Sequence, residues 1–269
     1  MTALTKISNN LLSARALAVL GPSLYIEYLA LFVALLPSIL KSHNLRPLDE
    51  AMGPRAKRLH FCGHSFIFDC GHCDAALHEE SFSFGVARDI YIRDSYFKFH
   101  KAATFTRAKT ILDLGANRGA FSCLMATHAD YIVSVEPQRR YVPIIEHNLK
   151  LNGFQNYAVE CGFVGRGGAL PESPYERLTV ESILQRHSLD HIDFIKMDIE
   201  GSEFALFDAP SWLERVDTLT VEIHSKYGNP ASILEALSKR NFDFIAADEN
   251  LVRVDSPRDA GFVYAWRRA

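Results

Sequence analysis

Acidic residues recur at the ends of short apolar stretches of this sequence. Asp113, Glu136, Asp198 and Glu222 each stand at or near the end of such a stretch. Stretches of this kind are typical of parallel β-strands that are buried on both faces. Since an open parallel sheet binds its ligands beyond the carboxyl ends of its strands, we expect the four carboxylates to converge on one crevice. Clustered carboxylates repel one another, so the repetition predicts a cationic ligand, a hydroxyl-rich ligand or a metal ion.

A histidine close to the last of these acids is a candidate for proton transfer. His224 lies two residues beyond Glu222, and alternate residues of a strand share a face. The unperturbed pKa of histidine is near neutral pH, so His224 can act as a general base that Glu222 orients. A purely structural histidine is the alternative that the sequence leaves open. The candidate catalytic residues are His224, Glu222 and Asp198.

A glycine turn follows the first acidic strand. Residues 115–119 read Gly-Ala-Asn-Arg-Gly. Glycines permit tight turns and close ligand approach, and the backbone N–H groups that open the next helix can bind polar ligand groups. Asp113 beside the turn disfavours a phosphate and favours a ligand that carries positive charge or donates hydrogen bonds. S-adenosylmethionine does both, through its ammonium and sulfonium groups.

The position of Glu136 points to a nucleoside. An acid about twenty residues beyond such a turn accepts hydrogen bonds from ribose hydroxyls in nucleotide-binding βαβ units. A nicotinamide dinucleotide is disfavoured, because residues 115–119 do not complete the G-x-G-x-x-G pattern that approaches a pyrophosphate.

Four separated motifs resemble the FkbM-type family of S-adenosylmethionine-dependent methyltransferases. They are DLGANRG at 113–119, VEP at 135–137, KMDIEGSE at 196–203 and VEIH at 221–224. The resemblance covers roughly residues 85–250. It implies a class I methyltransferase fold and O-methylation of a hydroxyl on a sugar or secondary metabolite.

The same resemblance implies where the cofactor binds. Asp198 would face its methionine end, and Cys161 and Gly162 would flank the adenine ring. Glu203, in the third motif, is interpreted as an acid in the first turn of a helix. The predicted cofactor-binding residues are Asp113, Gly115, Ala116, Asn117, Gly119, Glu136, Pro137, Cys161, Gly162 and Asp198.

Two alternatives accompany this prediction. A divalent ion held by Asp198, Glu222 and His224 would lower the pKa of an acceptor hydroxyl. We expect a metal-free site instead, because a sulfonium donor needs no electrophilic help. The second alternative is a nucleoside-binding module that has lost catalysis and acts as a partner protein.

Composition narrows the class of protein. The 269 residues are 48% hydrophobic, which is ample for a sizeable core. The net charge of −3 shows none of the basic surplus that nucleic-acid partners require, so we expect a small-molecule substrate and no nucleic acid. Five scattered cysteines do not suggest a disulfide framework and favour a reducing, cytoplasmic compartment.

The element pattern predicts an α/β protein with a Rossmann-like, seven-stranded class I methyltransferase sheet. The sheet should be mostly parallel, with an antiparallel last strand at or near the edge. We expect an N-terminal helical extension and linker over residues 1–58 and the methyltransferase domain, with a small N-terminal hairpin, over residues 59–269. The predicted strands are residues 110–114, 131–137, 157–163, 192–197, 218–223, 242–246 and 261–266.

The apolar N-terminal segment, residues 11–40, predicts two short helices. Gly21-Pro22 and Pro37 should act as breakers. The longest uncharged run is shorter than the roughly twenty residues that a membrane-spanning helix needs. These helices could cover the core, pair with a second subunit in a homodimer or make peripheral contact with a membrane. No cleavage site of the A-x-A type follows the segment, so a cleaved signal peptide is not expected.

A cysteine- and histidine-rich stretch follows the linker. Residues 59–73 alternate apolar and polar positions, as the strands of a hairpin do. Their metal-type side chains do not have a common zinc-site spacing, so we interpret the stretch as a strand pair and leave a zinc site as an alternative. These side chains are Cys62, His64, Cys70, His72 and Cys73.

Overall fold

The computed structural model describes residues 14–56, 58–61, 64–68, 83–101, 108–169 and 176–268. The chain forms two compact units. The first comprises the residues up to Ser95 together with His147–Gly153, and the second comprises Tyr96–Glu146 and the residues from Phe154 onward. The sequence had suggested a boundary near residue 58, but the hairpin after it belongs to the first unit, where it packs against the N-terminal helix.

The second unit is built on a seven-stranded sheet. Its strands are β3 (Thr110–Leu114), β4 (Tyr131–Val135), β5 (Tyr157–Glu160), β8 (Ile192–Met197), β9 (Val216–Glu222), β10 (Phe242–Ala247) and β11 (Phe262–Arg267). Their order in the sheet is β10-β11-β9-β8-β3-β4-β5, and β11 alone runs antiparallel to its two neighbours. The sheet confirms the predicted fold, with β11 one place in from the edge and the third strand ending at Glu160. Two short strands, β6 (Phe163–Val164) and β7 (Arg177–Leu178), pair separately.

Helices of the second unit connect these strands. The sequence predicts a first crossover helix over Ala120–His128, but the helix ends at Met125 and a turn continues to His128. The sequence predicts the second over Arg139–Leu151, and that helix begins at Val142. The helices are α4 (Ala120–Met125), α5 (Val142–Leu151, whose last turns belong to the first unit), α6 (Val180–Arg186), α7 (Glu203–Asp208) and α8 (Pro230–Lys239).

Strand β3 marks the point where the sheet reverses its order. The chain proceeds from β3 to β4 and β5 on one side, and β8 and β9 pair on the other. Ile111, Leu112 and Leu114 of β3 are buried, as expected for a central parallel strand. A reversal of this kind leaves a crevice beyond the carboxyl ends of the strands, where ligands of open α/β sheets bind.

The first unit contains the N-terminal helices and the hairpin. Its elements are α1 (Ala14–Ser42), α2 (Arg46–Met52), β1 (Arg58–Phe61), β2 (His64–Ile67) and α3 (Ser83–Ala87), followed by a π-helical turn at Arg88–Ile92. The hairpin is antiparallel and pairs Arg58 with Ile67. Of the cysteine- and histidine-rich stretch, His64 lies in β2, while Cys62, Cys70, His72 and Cys73 lie outside the described residues.

Helix α1 consists of two helices joined across a kink at Gly21, the first of the two expected breakers. Gly21 interrupts it with φ 73° and ψ 163°, conformations that glycine adopts without strain, and Pro22 then suits a first helical turn. Pro37, the other expected breaker, lies inside the continuing helix. Among the described residues, α1 is long and apolar enough to cross a membrane, by length and composition.

Candidate active site

A cleft with a cavity volume of about 80 Å³ lies beyond the carboxyl ends of β3, β4 and β8. Six residues predicted from the sequence to bind the cofactor line it, namely Gly115, Asn117, Glu136, Pro137, Gly162 and Asp198. The structure adds lining residues that the sequence did not suggest, among them Phe163, Val164 and Ile199. The other four predicted residues, Asp113, Ala116, Gly119 and Cys161, lie outside this lining.

The glycine turn is fixed by its own backbone contacts. Gly115 has φ +78°, and a Cβ placed on it would lie 1.7 Å from the carbonyl oxygen of Asp198. The N–H groups of Gly115 and Ala116 both donate to the carbonyl of Val135, each at 3.0 Å. These two hydrogen bonds join the turn to the end of β4.

Glu136 closes the cleft on the β4 side. Its carboxylate accepts hydrogen bonds from the N–H groups of Asn117 and Gln138, each at 2.9 Å. Each oxygen retains a further lone pair, which a ribose hydroxyl can use. Burial raises the pKa of Glu136 to about 7, although the two N–H groups act in the opposite direction. The acid at this position therefore fits a nucleoside, and it titrates near neutral pH.

Asp113 plays a different part from the one the sequence suggested. It is fully buried, accepts a hydrogen bond from the hydroxyl of Ser122 at 2.6 Å and lies 3.3 Å from the Nζ of Lys196. Lys196 also donates to the carbonyl of Gly115 at 2.5 Å and lies 3.9 Å from Asp198. Burial disfavours the charge of Lys196, but Asp113 and Asp198 outweigh it and raise its pKa. Asp113 thus supports the turn from behind, and Asp198 is the carboxylate that reaches the cleft.

His224 is held by a buried carboxylate. The Oε1 atom of Glu203 accepts the backbone N–H of His224 at 2.8 Å and lies 3.2 Å from its Nδ1. The N–H of Gly201 donates to the Oε2 atom of the same carboxylate at 2.8 Å. Glu203 is fully buried, so both of its oxygens are fixed by these contacts. The orienting role that the sequence assigned to Glu222 is filled here by Glu203.

The other nitrogen of His224 faces two more acids. Nε2 lies 3.8 Å from Asp198 and 3.5 Å from Glu200, and both acids line the cleft. Burial by itself would lower the pKa of His224. The hydrogen bond to Glu203, together with the charges of Asp198, Glu203 and Glu200, outweighs burial and raises this pKa to about 9. At neutral pH the imidazole of the ligand-free protein therefore carries a proton.

Tyr96 connects two of the acids that were expected to converge. Its hydroxyl lies 3.0 Å from Asp198 and 3.1 Å from Glu222. The Nζ of Lys196 lies 5.2 Å from the centre of the same ring. Because two carboxylates share one hydroxyl donor, Tyr96 holds them at neighbouring strand ends. Tyr96 is not among the site residues that the sequence predicts.

A second, polar depression of about 500 Å³ adjoins the end of β9. Ile223 and Ser225, the residues on either side of His224, line it. The loop between β10 and β11 supplies most of the remaining lining, including Asp248, Glu249, Asn250, Arg258 and Asp259. His224 therefore lies beside two residues that line the cleft, Asp198 and Glu200, and its two neighbours in the chain line this depression.

The metal-type side chains near His224 differ from the set that the sequence suggested. Ligand atoms of Asp198, Glu200 and His224 lie within 4.8 Å of one another. Glu200 thus takes the place that had been considered for Glu222, whose carboxylate contacts Tyr96. These three side chains are the ones that could hold a divalent ion at this site.

Comparison with known proteins agrees with the motifs. Residues 113–244 match the family described as methyltransferase FkbM domain. No curated protein matches the chain.

Several solved structures are similar to parts of this chain. Precorrin-6y C5,15-methyltransferase from Geobacter metallireducens GS-15 is 15% identical, with 62% of this chain and 87% of that one covered and a TM-score of 0.40. An rRNA methylase from Streptococcus thermophilus is 11% identical, with 62% and 92% covered and a TM-score of 0.42. TYW2 from M. jannaschii, in complex with AdoMet, is 12% identical, with 78% and 84% covered and a TM-score of 0.40.

The sheet, with β11 as its antiparallel strand and the cleft at the reversal beside β3, has the class I methyltransferase fold. The match over residues 113–244 shows a methyltransferase FkbM domain in this chain. Its cofactor is S-adenosylmethionine. The residues that line the cleft fit this cofactor, because Glu136 offers acceptors for ribose hydroxyls and Asp198 offers a carboxylate for a cationic group.

Proposed function

We propose that this protein transfers a methyl group from S-adenosylmethionine to a hydroxyl oxygen of a sugar or secondary metabolite, with His224 as the general base. The observation that carries the proposal is the imidazole of His224, held at Nδ1 by buried Glu203, with Nε2 beside Asp198 and Glu200, two residues that line the cleft. A base held in this way is the arrangement that removal of a hydroxyl proton requires.

The bound cofactor would supply a methyl group already activated by its sulfonium. The tasks left for the protein are to align the acceptor and to remove one proton. Alignment can contribute roughly 7–11 kcal/mol, and a positioned base on the order of 10²- to 10⁴-fold in rate. Glu136 would hold the ribose, Asp198 would face the cationic end, and neutral His224 would accept the hydroxyl proton at Nε2.

The polar depression beside β9 supports a hydrophilic acceptor. Its side chains offer carboxylate, amide and hydroxyl groups, which suit the hydroxyls of a sugar better than an apolar ring. The acidic residues Asp248, Glu249 and Asp259 outnumber Arg258 there, which disfavours a phosphorylated acceptor. We also propose that the acceptor is a small molecule rather than a nucleic acid, in line with the net charge of −3.

Two experiments test this function. Isothermal titration with S-adenosylhomocysteine measures cofactor binding, and absence of binding by a folded sample would contradict the proposal. Methyl transfer to a panel of sugars and hydroxylated metabolites then measures activity. His224→Gln should abolish turnover while cofactor binding persists. The matched control His191→Gln changes an exposed histidine at the opposite end of β8 and should leave turnover unchanged.

The catalytically inactive alternative makes a distinct prediction. A partner protein that only binds the nucleoside would bind S-adenosylhomocysteine tightly and show no transfer to any acceptor. It would also tolerate His224→Gln without a change in any measured property. Turnover that depends on His224 would rule this alternative out.

We further propose a cytoplasmic location. The two cysteines of the described residues, Cys123 and Cys161, are free thiols, as a reducing compartment allows. Fractionation of the producing cells would test the location, and recovery of the protein from an extracellular fraction would contradict it.

A further inference from the structure

Helix α1 has a long uninterrupted portion after its kink. From Pro22 to Ser42 the helix continues without a break, which corresponds to ~30 Å at the usual rise per residue. Apolar residues occupy more than one face of this portion. Tyr28 and Ile39 are buried on the inner face, where α1 packs against α2 and β1 of its own unit.

The outer face of this portion carries large apolar side chains in contact with solvent. Ile26, Val33 and Leu40 are 67%, 69% and 48% exposed. Their positions differ by seven, which is close to two helical turns, so the three side chains share one face. Leu29 and Leu36, both half-buried, lie between them and complete a continuous surface, here named the α1 stripe. Soluble monomers rarely expose a contiguous apolar surface of this kind without a binding role.

The charged groups of this portion lie away from the α1 stripe. Glu27 lies well round the helix from it, where its carboxylate is 3.8 Å from the guanidinium of Arg55. Lys41 is exposed near the end of the helix, immediately after Leu40. A helix that keeps an apolar face apart from its charged groups suits the boundary between water and the apolar interior of a lipid bilayer.

A second copy of the chain is the competing occupant. The α1 stripe has the spacing of a coiled-coil seam, but it covers only about two heptads, fewer than a stable coiled coil uses. Coiled coils place charged residues beside the seam to set partner and register. The corresponding positions of α1 are all uncharged: Tyr25, Ala30, Phe32, Pro37 and Ile39. A lipid surface needs no such register and accepts a proline.

We propose that the α1 stripe of this protein binds a lipid bilayer, with α1 lying along the membrane surface. The inner face of α1 is occupied by its own unit. Near its start, Arg15 donates to the carbonyl of Tyr91 at 2.9 Å and pairs with Asp94 at 2.8 Å. Lipid therefore reaches only the outer face, which gives a peripheral contact rather than a span.

Flotation with vesicles tests the proposal on the full chain. Vesicles of phosphatidylcholine, alone and mixed with phosphatidylglycerol, are the probes. The wild-type protein should float with them, and the triple variant Ile26→Ser, Val33→Ser, Leu40→Ser should lose at least tenfold of the bound fraction. Val252→Ser is the matched control, because Val252 is a 50% exposed apolar residue of the other unit, and it should float like the wild type.

A second measurement covers the case in which the triple variant folds poorly. Val33→Trp should show a blue shift of its emission on addition of vesicles, because the indole enters an apolar environment. Wild-type protein that remains with the soluble fraction, or a well-folded triple variant that floats unchanged, would overturn the proposal. A dimer in solution that dissociates in the triple variant would assign the stripe to a second copy and would overturn it equally.

Discussion

The raised pKa of His224 predicts how the activity of this protein depends on pH. With a pKa of about 9, the neutral imidazole that a base requires is scarce at neutral pH. Its fraction is on the order of 1% at pH 7 and about half at pH 9. We therefore expect kcat/KM, which reports the free enzyme, to rise roughly 50-fold over this range.

Glu203 is the largest single cause of this upward shift, so its removal should move the profile. In Glu203→Gln the charged hydrogen bond at Nδ1 becomes a neutral one. Hydrogen bonds to charged groups contribute about 1.5–3 kcal/mol, and one pKa unit corresponds to about 1.4 kcal/mol, so the pKa of His224 should fall by roughly 1–2 units. The plateau at high pH should also fall, because the imidazole is then less firmly oriented.

Nuclear magnetic resonance titration of the His224 ring gives the pKa without any acceptor. Initial rates of S-adenosylhomocysteine release against pH give the corresponding kinetic midpoint. Glu235→Gln is the matched control, because it neutralises an exposed acid on α8 and should leave both midpoints unchanged. A wild-type midpoint at or below the ordinary value for histidine would refute the assignment of His224 as a carboxylate-bound base. An unchanged midpoint in Glu203→Gln would refute the role of Glu203.

The remaining predictions concern the cofactor cleft and the metal alternative. Glu136 has a pKa of about 7 and must lose its proton to accept hydrogen bonds from both ribose hydroxyls. S-adenosylhomocysteine should therefore bind roughly tenfold more weakly at pH 6 than at pH 8, as measured by calorimetry. In Glu136→Gln the affinity should no longer depend on pH. Gly115 and Gly167 both have positive φ, but only at Gly115 would an added Cβ lie 1.7 Å from a backbone atom. Gly167→Ala should therefore lower the free energy of unfolding by ~1–2 kcal/mol, and Gly115→Ala should lower it far more, as measured by thermal unfolding. Addition of a chelator should leave turnover unchanged. If the chelator abolishes turnover and magnesium restores it, His224 is a metal ligand together with Asp198 and not the base.

The sequence predicted the sheet and much of the cleft because those features depend on local patterns. Apolar stretches of strand length, a glycine turn and an acid at a fixed spacing are each readable within a few residues. Gly115 and Glu136, which these local patterns single out, line the cleft. The roles that depend on contacts between distant residues were not readable. Asp113 is neutralised by Lys196 because β3 and β8 are neighbours in register, a pairing that forms only in the folded sheet.

The carboxylate partner of His224 shows the same limit. Glu222 is near it in sequence and was the natural candidate, whereas Glu203 lies 21 residues away. Position in a helical first turn gave no indication that Glu203 faces inward to the end of β9. Its two oxygens meet Gly201 and His224 only because α7 begins directly after the turn at the end of β8. Such a contact follows from tertiary packing and not from spacing.

Glu136 and His224 have raised pKa values of about 7 and about 9, and the two causes are opposite. Glu136 keeps its proton up to about pH 7 because burial disfavours its charge, while His224 keeps its proton up to about pH 9 because surrounding carboxylates favour its charge. As pH rises, Glu136 becomes an acceptor for the nucleoside before His224 becomes a base. A cationic cofactor beside Asp198 would weaken the hold of the carboxylates on the proton of His224, since a like charge disfavours the imidazolium. Cofactor binding would therefore lower the pKa of His224, and the kcat profile should rise at a lower pH than the kcat/KM profile.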